Sequence, residues 1–130
     1  MPVSWEIRDR VLIVTLAEAC GEEATPAITA AMADPAFQFD TSLLLDVRLC
    51  TDYPSSEEFR RWAISLASRR DRGFSGRCAF VIGPRPIAYG LARMASAYAE
   101  LQGMRIEIFT DFEQAVQWLN RIGEAGGNTA

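Results

Sequence analysis

The 130-residue chain contains no histidine and no lysine. Each absence removes a class of chemistry. Without an imidazole there is no Ser-His-Asp or Cys-His nucleophile, no histidine phosphorelay and none of the commonest metal ligands. Without lysine there is no Ser-Lys pair, and a lone thiolate would have to draw its activation from arginine. Cysteine is scarce and odd in number. Cys20, Cys50 and Cys78 lie far apart with no CxxC spacing, which points to thiols in a reducing compartment rather than to a disulfide framework or a zinc site. No apolar run approaches the ~20 residues of a membrane span. The opening Met-Pro-Val-Ser-Trp shows no basic segment ahead of an apolar one, as a secretory signal would, so a cytoplasmic protein is expected.

Positive charge is the scarcer sign: 13 basic residues, all arginine, face 17 acidic ones for a net charge of −4. That balance argues against nucleic acid or an anionic membrane as the main partner, because both demand a positive field. What remains is a globular composition, 49% hydrophobic and 23% charged, of a length that buries roughly two-thirds of its unfolded surface in one core. A single domain over residues 1–122 is expected, with a disordered tail over 123–130. No internal repeat is visible.

Val3, Trp5 and Ile7 alternate with Ser4, Glu6 and Arg8, and Asp9-Arg10 connects them tightly to the apolar run 11–16, which reads as a β-hairpin. After a polar stretch, Thr25 can cap a short helix with Pro26 at its first position, ended by Asp34-Pro35. Residues 43–47 are apolar except for Asp46 and read as a strand covered on both faces. Ser55 and Glu58 then form a capping box for a helix with Phe59, Trp62, Ala63, Leu66 and Ala67 on one side and Arg69, Arg70 and Arg72 at its end. A second buried strand over 78–82 leads through Gly83-Pro84-Arg85-Pro86 into a third helix striped by Ile87, Leu91, Met94, Tyr98 and Leu101. Ile106 and Ile108 mark a last strand, and Thr110-Asp111-Phe112-Glu113 offers a capping box for a last helix. The order predicts an α/β fold: a five-stranded mixed sheet, made of the N-terminal hairpin and βαβ crossovers, with four helices. Sites in such sheets lie beyond the carboxyl ends of the strands, which brings residues 46–56 and 83–90 to one rim.

The order of elements and several local phrases, namely Trp5-Glu6-Ile7, Asp34-Pro35-Ala36-Phe37, Leu43-Leu44-Leu45-Asp46, Tyr89-Gly90-Leu91-Ala92-Arg93-Met94 and Ile108-Phe109 with Trp118-Leu119, together resemble the STAS domains. The likeness covers nearly the whole chain and is to the SpoIIAA-like family of stand-alone bacterial proteins in particular. The resemblance implies a non-enzymatic regulatory module, whose anti-sigma-factor antagonist members bind a partner kinase and are switched by phosphorylation of a serine opening the helix after the third strand. Carried over, that serine is Ser55 or Ser56. The pattern departs here from the antagonists, which place an Asp before the serine pair and a Gly soon after; Pro54 precedes and Glu57-Glu58 follow, and two carboxylates oppose a phosphate at a helix N-terminus. A related fold, the CRAL-TRIO type, implies a lipid or other apolar ligand.

Other residues have two readings each. Asp46 at a strand end can hold a ligand hydroxyl or a cation, or it can cap the turn and pair with Arg48; Cys50 beside Arg48 can be a reactive thiol or a small half-buried residue. Arg85 precedes a helix N-terminus and suits an anion, although Pro84 and Pro86 remove two amides and the glycine spacing makes no P-loop. Tyr89 and Arg93 stand one turn apart and can present an aromatic face and a guanidinium to one partner. The third helix is rich in alanine and glycine, which suits close packing of a second copy in a homodimer, an apolar cavity, or helix propensity alone. The expectation is therefore a protein-binding module with its surface at the rim formed by residues 46–56 and 85–93, without catalysis, metal or other cofactor. An apolar-ligand carrier, with a cavity between the third and fourth helices and the sheet, is the alternative, and a metal-free enzyme the third reading.

Overall fold

Two consecutive residues with positive φ, Asp9 at 51° and Arg10 at 62°, turn the chain back on itself and set the first ladder. They make a two-residue turn of the primed kind, whose twist matches that of the strands it joins. In the computed structural model, which describes residues 3–19, 21–37, 40–52, 56–70 and 73–129, this turn joins β1 (Val3–Arg8) to β2 (Val11–Ala19). There follow α1 (Gly21–Met32), β3 (Thr41–Asp52), α2 (Ser56–Ala67), β4 (Phe74–Val81), α3 (Pro86–Leu101), β5 (Arg105–Phe109) and α4 (Phe112–Thr129). The strands lie in the order β1-β2-β3-β4-β5, the first pair antiparallel and the others parallel. The five-stranded mixed sheet with four helices is the α/β architecture that the sequence predicts.

An unreversed strand order has a consequence for the layers. Each right-handed crossover advances the sheet in the same direction, so every connecting helix falls on the same face. Ile28 and Ala31 of α1, Ala63 and Leu66 of α2, and Ala92 and Ala99 of α3 accordingly share one core with Leu12, Leu43 and Phe80. The opposite face carries Val11, Ile13, Leu44, Ala79 and Val81, covered by Ala115 and Leu119 of α4. Coverage on both sides explains the run Leu43-Leu44-Leu45, all with no solvent exposure, each of which contributes about 2 kcal/mol of burial.

The elements depart from the sequence reading at several points. Pro26 lies inside α1, which begins at Gly21 rather than after Thr25; the packing of Ile28 and Ala31 outweighs the lost amide bond. The strand expected over 43–47 runs on to Asp52, so Asp46 sits within β3 and not at its end. α2 ends at Ala67, ahead of the arginines expected in its last turn. Arg69 instead donates to Thr29 Oγ1 (3.0 Å) and Arg70 to the Gly103 carbonyl (3.0 Å), tying the end of α2 to α1 and to the turn after α3. α4 is capped by Asp111, whose Oδ1 accepts from the Gln114 amide at 3.1 Å, and not by Thr110. α4 spans Phe112–Thr129. The Ser55 cap lies outside the described residues.

Candidate functional site

Asp46 and Arg48 come together at a β-bulge. The β2–β3 register shifts between Thr15 paired with Asp46 and Ala17 paired with Leu49, so β3 carries one extra residue there. The phase of the strand reverses: Leu43 and Leu45 enter the three-helix core, and after the bulge so does Cys50, while Leu49 turns outward, 64% exposed. Asp46 shares the α4 side with Leu44. Its Oδ1 accepts from the Arg48 amide at 3.1 Å and from Arg48 Nε at 2.9 Å, and its Oδ2 accepts from Arg48 Nη2 at 2.8 Å. The carboxylate is buried, whereas the Arg48 side chain is 43% exposed and lies 5.6 Å from the centre of the Phe112 ring. The hydrogen bond to Asp46, and then the charges of Asp46 and Asp111, hold the Arg48 guanidinium above its ordinary value against the opposing effect of burial. Of the two readings of Asp46, the geometry is that of a structural pair: both oxygens are occupied by Arg48.

Gly83 packs against the same place, since a Cβ built on it would lie 3.5 Å from the Arg48 carbonyl. The rim of residues 46–56 and 83–90 is therefore joined at Arg48 and Gly83. Tyr89 and Arg93 stand on α3, which packs on the face of the sheet opposite α4. With the strand order unreversed, the sheet has no switch point at which a crevice opens between helices of opposite faces. The same arrangement corrects the place expected for an apolar cavity: α3 and α4 are separated by the sheet and enclose nothing between them.

Arg85 is the N-cap residue of α3, with extended backbone (φ −73°, ψ 132°), no side-chain capping bond and Pro86 following; its side chain is exposed. Ser56 is the first residue of α2, and Ser55 lies outside the described residues. Cys50 is buried, and burial pushes the Cys78 thiol well above its ordinary value, so Cys78 is not a reactive thiolate. Among the described residues no cluster of acidic or cysteine side chains is placed to hold a metal.

Tyr89 (52% exposed) and Arg93, whose guanidinium lies 5.9 Å from the Tyr89 ring centre, form one end of a cleft of about 710 Å³ between α3 and β5. Ser96, Ala97 and Glu100 continue its helical wall, and Met104 to Ile108 form the other. Ser96 Oγ donates to the Ile106 carbonyl at 3.2 Å across it. Sequence reasoning found the first two residues and missed Glu100, Arg105 and Glu107. The signal was available: 89, 93, 96, 97 and 100 recur at helical spacing, and β5 is the last strand in an unreversed order.

A second cleft, of about 420 Å³, opens at the opposite ends of the strands between the hairpin turn and α4, lined by Arg10, Asp40, Ser42, Arg77 and Asn120. Arg77 pairs with Asp40 at 3.3 Å, and Ser42 Oγ and Ser75 Oγ share a hydrogen bond of 2.9 Å. The sequence reading assigned nothing here.

No protein-family model matches the sequence, and no match to a curated protein was found. Among solved structures, the chain is similar to an uncharacterized protein of the DUF3478 family with a SpoIIAA-like fold from Shewanella loihica PV-4, at 17% identity and a TM-score of 0.56, over 90% of this chain and 91% of that one. The fold of the chain is thus SpoIIAA-like, as the residues quoted above led one to expect.

Proposed function

We propose that this domain is a non-catalytic, regulatory protein-interaction module that works through the α3–β5 cleft. The observation that carries the reading is the cleft itself. It is open and mostly polar, with Arg93, Ser96, Glu100, Arg105 and Glu107 on its walls and an exposed Tyr89 at its mouth. Such a surface suits a protein better than a lipid, which asks for an enclosed apolar pocket. Tyrosine and arginine are both enriched at the energetic centres of interfaces. The non-catalytic part rests on the missing imidazole and lysine, and on Asp46 being held by Arg48 rather than placed to act as a base. The regulatory element that the SpoIIAA resemblance implies is phosphorylation of Ser55 or Ser56, where α2 begins.

The reading is tested by affinity capture of partners from the native host with the wild-type domain and with Tyr89→Ala/Arg93→Ala. Loss of a stoichiometric partner, at an unchanged melting temperature, is the expected result. A co-purified lipid found by native mass spectrometry, or hydrolase activity that disappears in Asp46→Asn, would overturn it.

A further inference from the structure

The α3–β5 cleft is bounded by a strand edge. The Ile82 amide donates to the Phe109 carbonyl at 2.9 Å, so Phe109 turns its backbone groups toward β4. By alternation Arg105 and Glu107 do the same, and Ile106 and Ile108 turn theirs outward, away from the sheet. The Ser96 hydroxyl on the Ile106 carbonyl agrees with that assignment. β5 is the last strand of the sheet. A short charged strand is also how a monomer protects an edge; what distinguishes this one is that its charges are arranged to match themselves.

We infer that a second copy of this chain adds its β5 antiparallel to this β5, across a two-fold axis at Ile106 and Ser96, to give a continuous ten-stranded sheet. The inference rests on the proposed use of this cleft and names its occupant. Two independent charge patterns are reciprocal about that one axis. In the sheet, Arg105 precedes Ile106 and Glu107 follows it, and the two already share one face, 3.4 Å apart. Antiparallel pairing centred on Ile106 sets each Arg105 opposite Glu107 of the second copy, twice. It also makes Ile106 with Ile106 a hydrogen-bonded pair, as their outward backbone groups require. In the helical layer, Ser96 is level with Ile106 because it bonds to it, so the same axis crosses α3 at Ser96 and Ala97. Arg93 stands three residues before Ser96 and Glu100 three residues after Ala97, each about 5 Å along the helix from the crossing. The axis therefore places Arg93 opposite Glu100 of the second copy, again twice. Neither has an ion-pair partner among the described residues of its own chain. Small side chains at the crossing permit close approach. Tyr89 and Leu101, 52% and 81% exposed, stand on α3 on either side of the crossing. A patch that is complementary to itself about one axis is what a two-fold interface requires.

Sedimentation equilibrium of the full chain tests this. The wild type is expected to be a dimer. Arg93→Glu alone and Glu100→Arg alone each set like charges against each other twice, and each should weaken the dimer by roughly tenfold or more. An equimolar mixture of the two variants should form a heterodimer of wild-type strength, because both cross-pairs are then attractive; this rescue also shows that the variants fold. A wild type that is monomeric at ~1 mM overturns the inference, and if it still loses its partner on Tyr89→Ala/Arg93→Ala, the interaction module stands without the second copy. A dimer indifferent to both charge reversals, or one not restored in the mixture, overturns this interface as well.

Discussion

Removing Arg48 should cost more than removing Asp46, although Arg48 is the more exposed of the two. Arg48→Ala deletes two charge-assisted bonds, of 2.9 and 2.8 Å, from a carboxylate whose side chain is only 7% exposed, and leaves that charge with the single backbone amide at 3.1 Å. Charged hydrogen bonds contribute about 1.5–3 kcal/mol each; the solvent around a half-exposed guanidinium discounts the pair, and an uncompensated buried charge adds to the loss. We expect about 3 kcal/mol. Asp46→Ala instead releases Arg48 into water over Phe112 and frees one strand amide at the bulge, for an expected loss of about 1.5 kcal/mol. Once Asp46 is gone, removing Arg48 should cost little more, so the double variant should lie close to Asp46→Ala and the coupling should be about 3 kcal/mol. Urea unfolding with a shared m-value measures all three. If Asp46→Ala proves the more damaging, or if the coupling is below about 0.5 kcal/mol, the carboxylate reaches water and the bulge is held by something else.

Three further outcomes follow from the geometry. Burial raises the Cys78 thiol, so the folded state holds a proton that the unfolded chain gives up near pH ~8.5; stability should be level below that pH, fall above it at up to about 1.4 kcal/mol per pH unit, and lose that slope in Cys78→Ala. Arg10 at φ 62° occupies a position suited to glycine, so Arg10→Gly should raise stability by about 1 kcal/mol in the same urea assay. At Gly76, φ is +84° and an added Cβ would lie 3.1 Å from Arg70 Nε; Gly76→Ala should therefore lower stability by about 1–2 kcal/mol, and a neutral result in thermal unfolding would show that the β4 backbone and Arg70 relax around the added group.

The order of elements was readable because the apolar periods are clear and strands separated by single helices admit few topologies. The site was less readable, for a local reason and a global one. Locally, a carboxylate in an apolar run reads as the end of a strand; Asp46 is carried inside β3 because Arg48 binds both its oxygens, and the bulge that makes this possible leaves no mark in a period-two pattern. Pro26 misled in the same way, since a proline that reads as a helix start is tolerated within α1 when the packing suffices. Globally, the faces on which α3 and α4 lie depend on strand order. Tyr89 and Arg93 could be paired from helical spacing, whereas their separation from Asp46 and their meeting with Arg105 and Glu107 could not.

The layer described for α4 bears on how the chain leaves the ribosome. Among the described residues, the face bearing Val11, Ile13, Leu44, Ala79 and Val81 has helical cover from α4, which is translated after all five strands. The three-helix face can close as each crossover emerges, while its reverse stays bare until residues beyond 112 have cleared the exit tunnel. A nascent chain halted after β5 would present an apolar sheet surface to holdase chaperones, and release of that chain from a chaperone would report the docking of one helix.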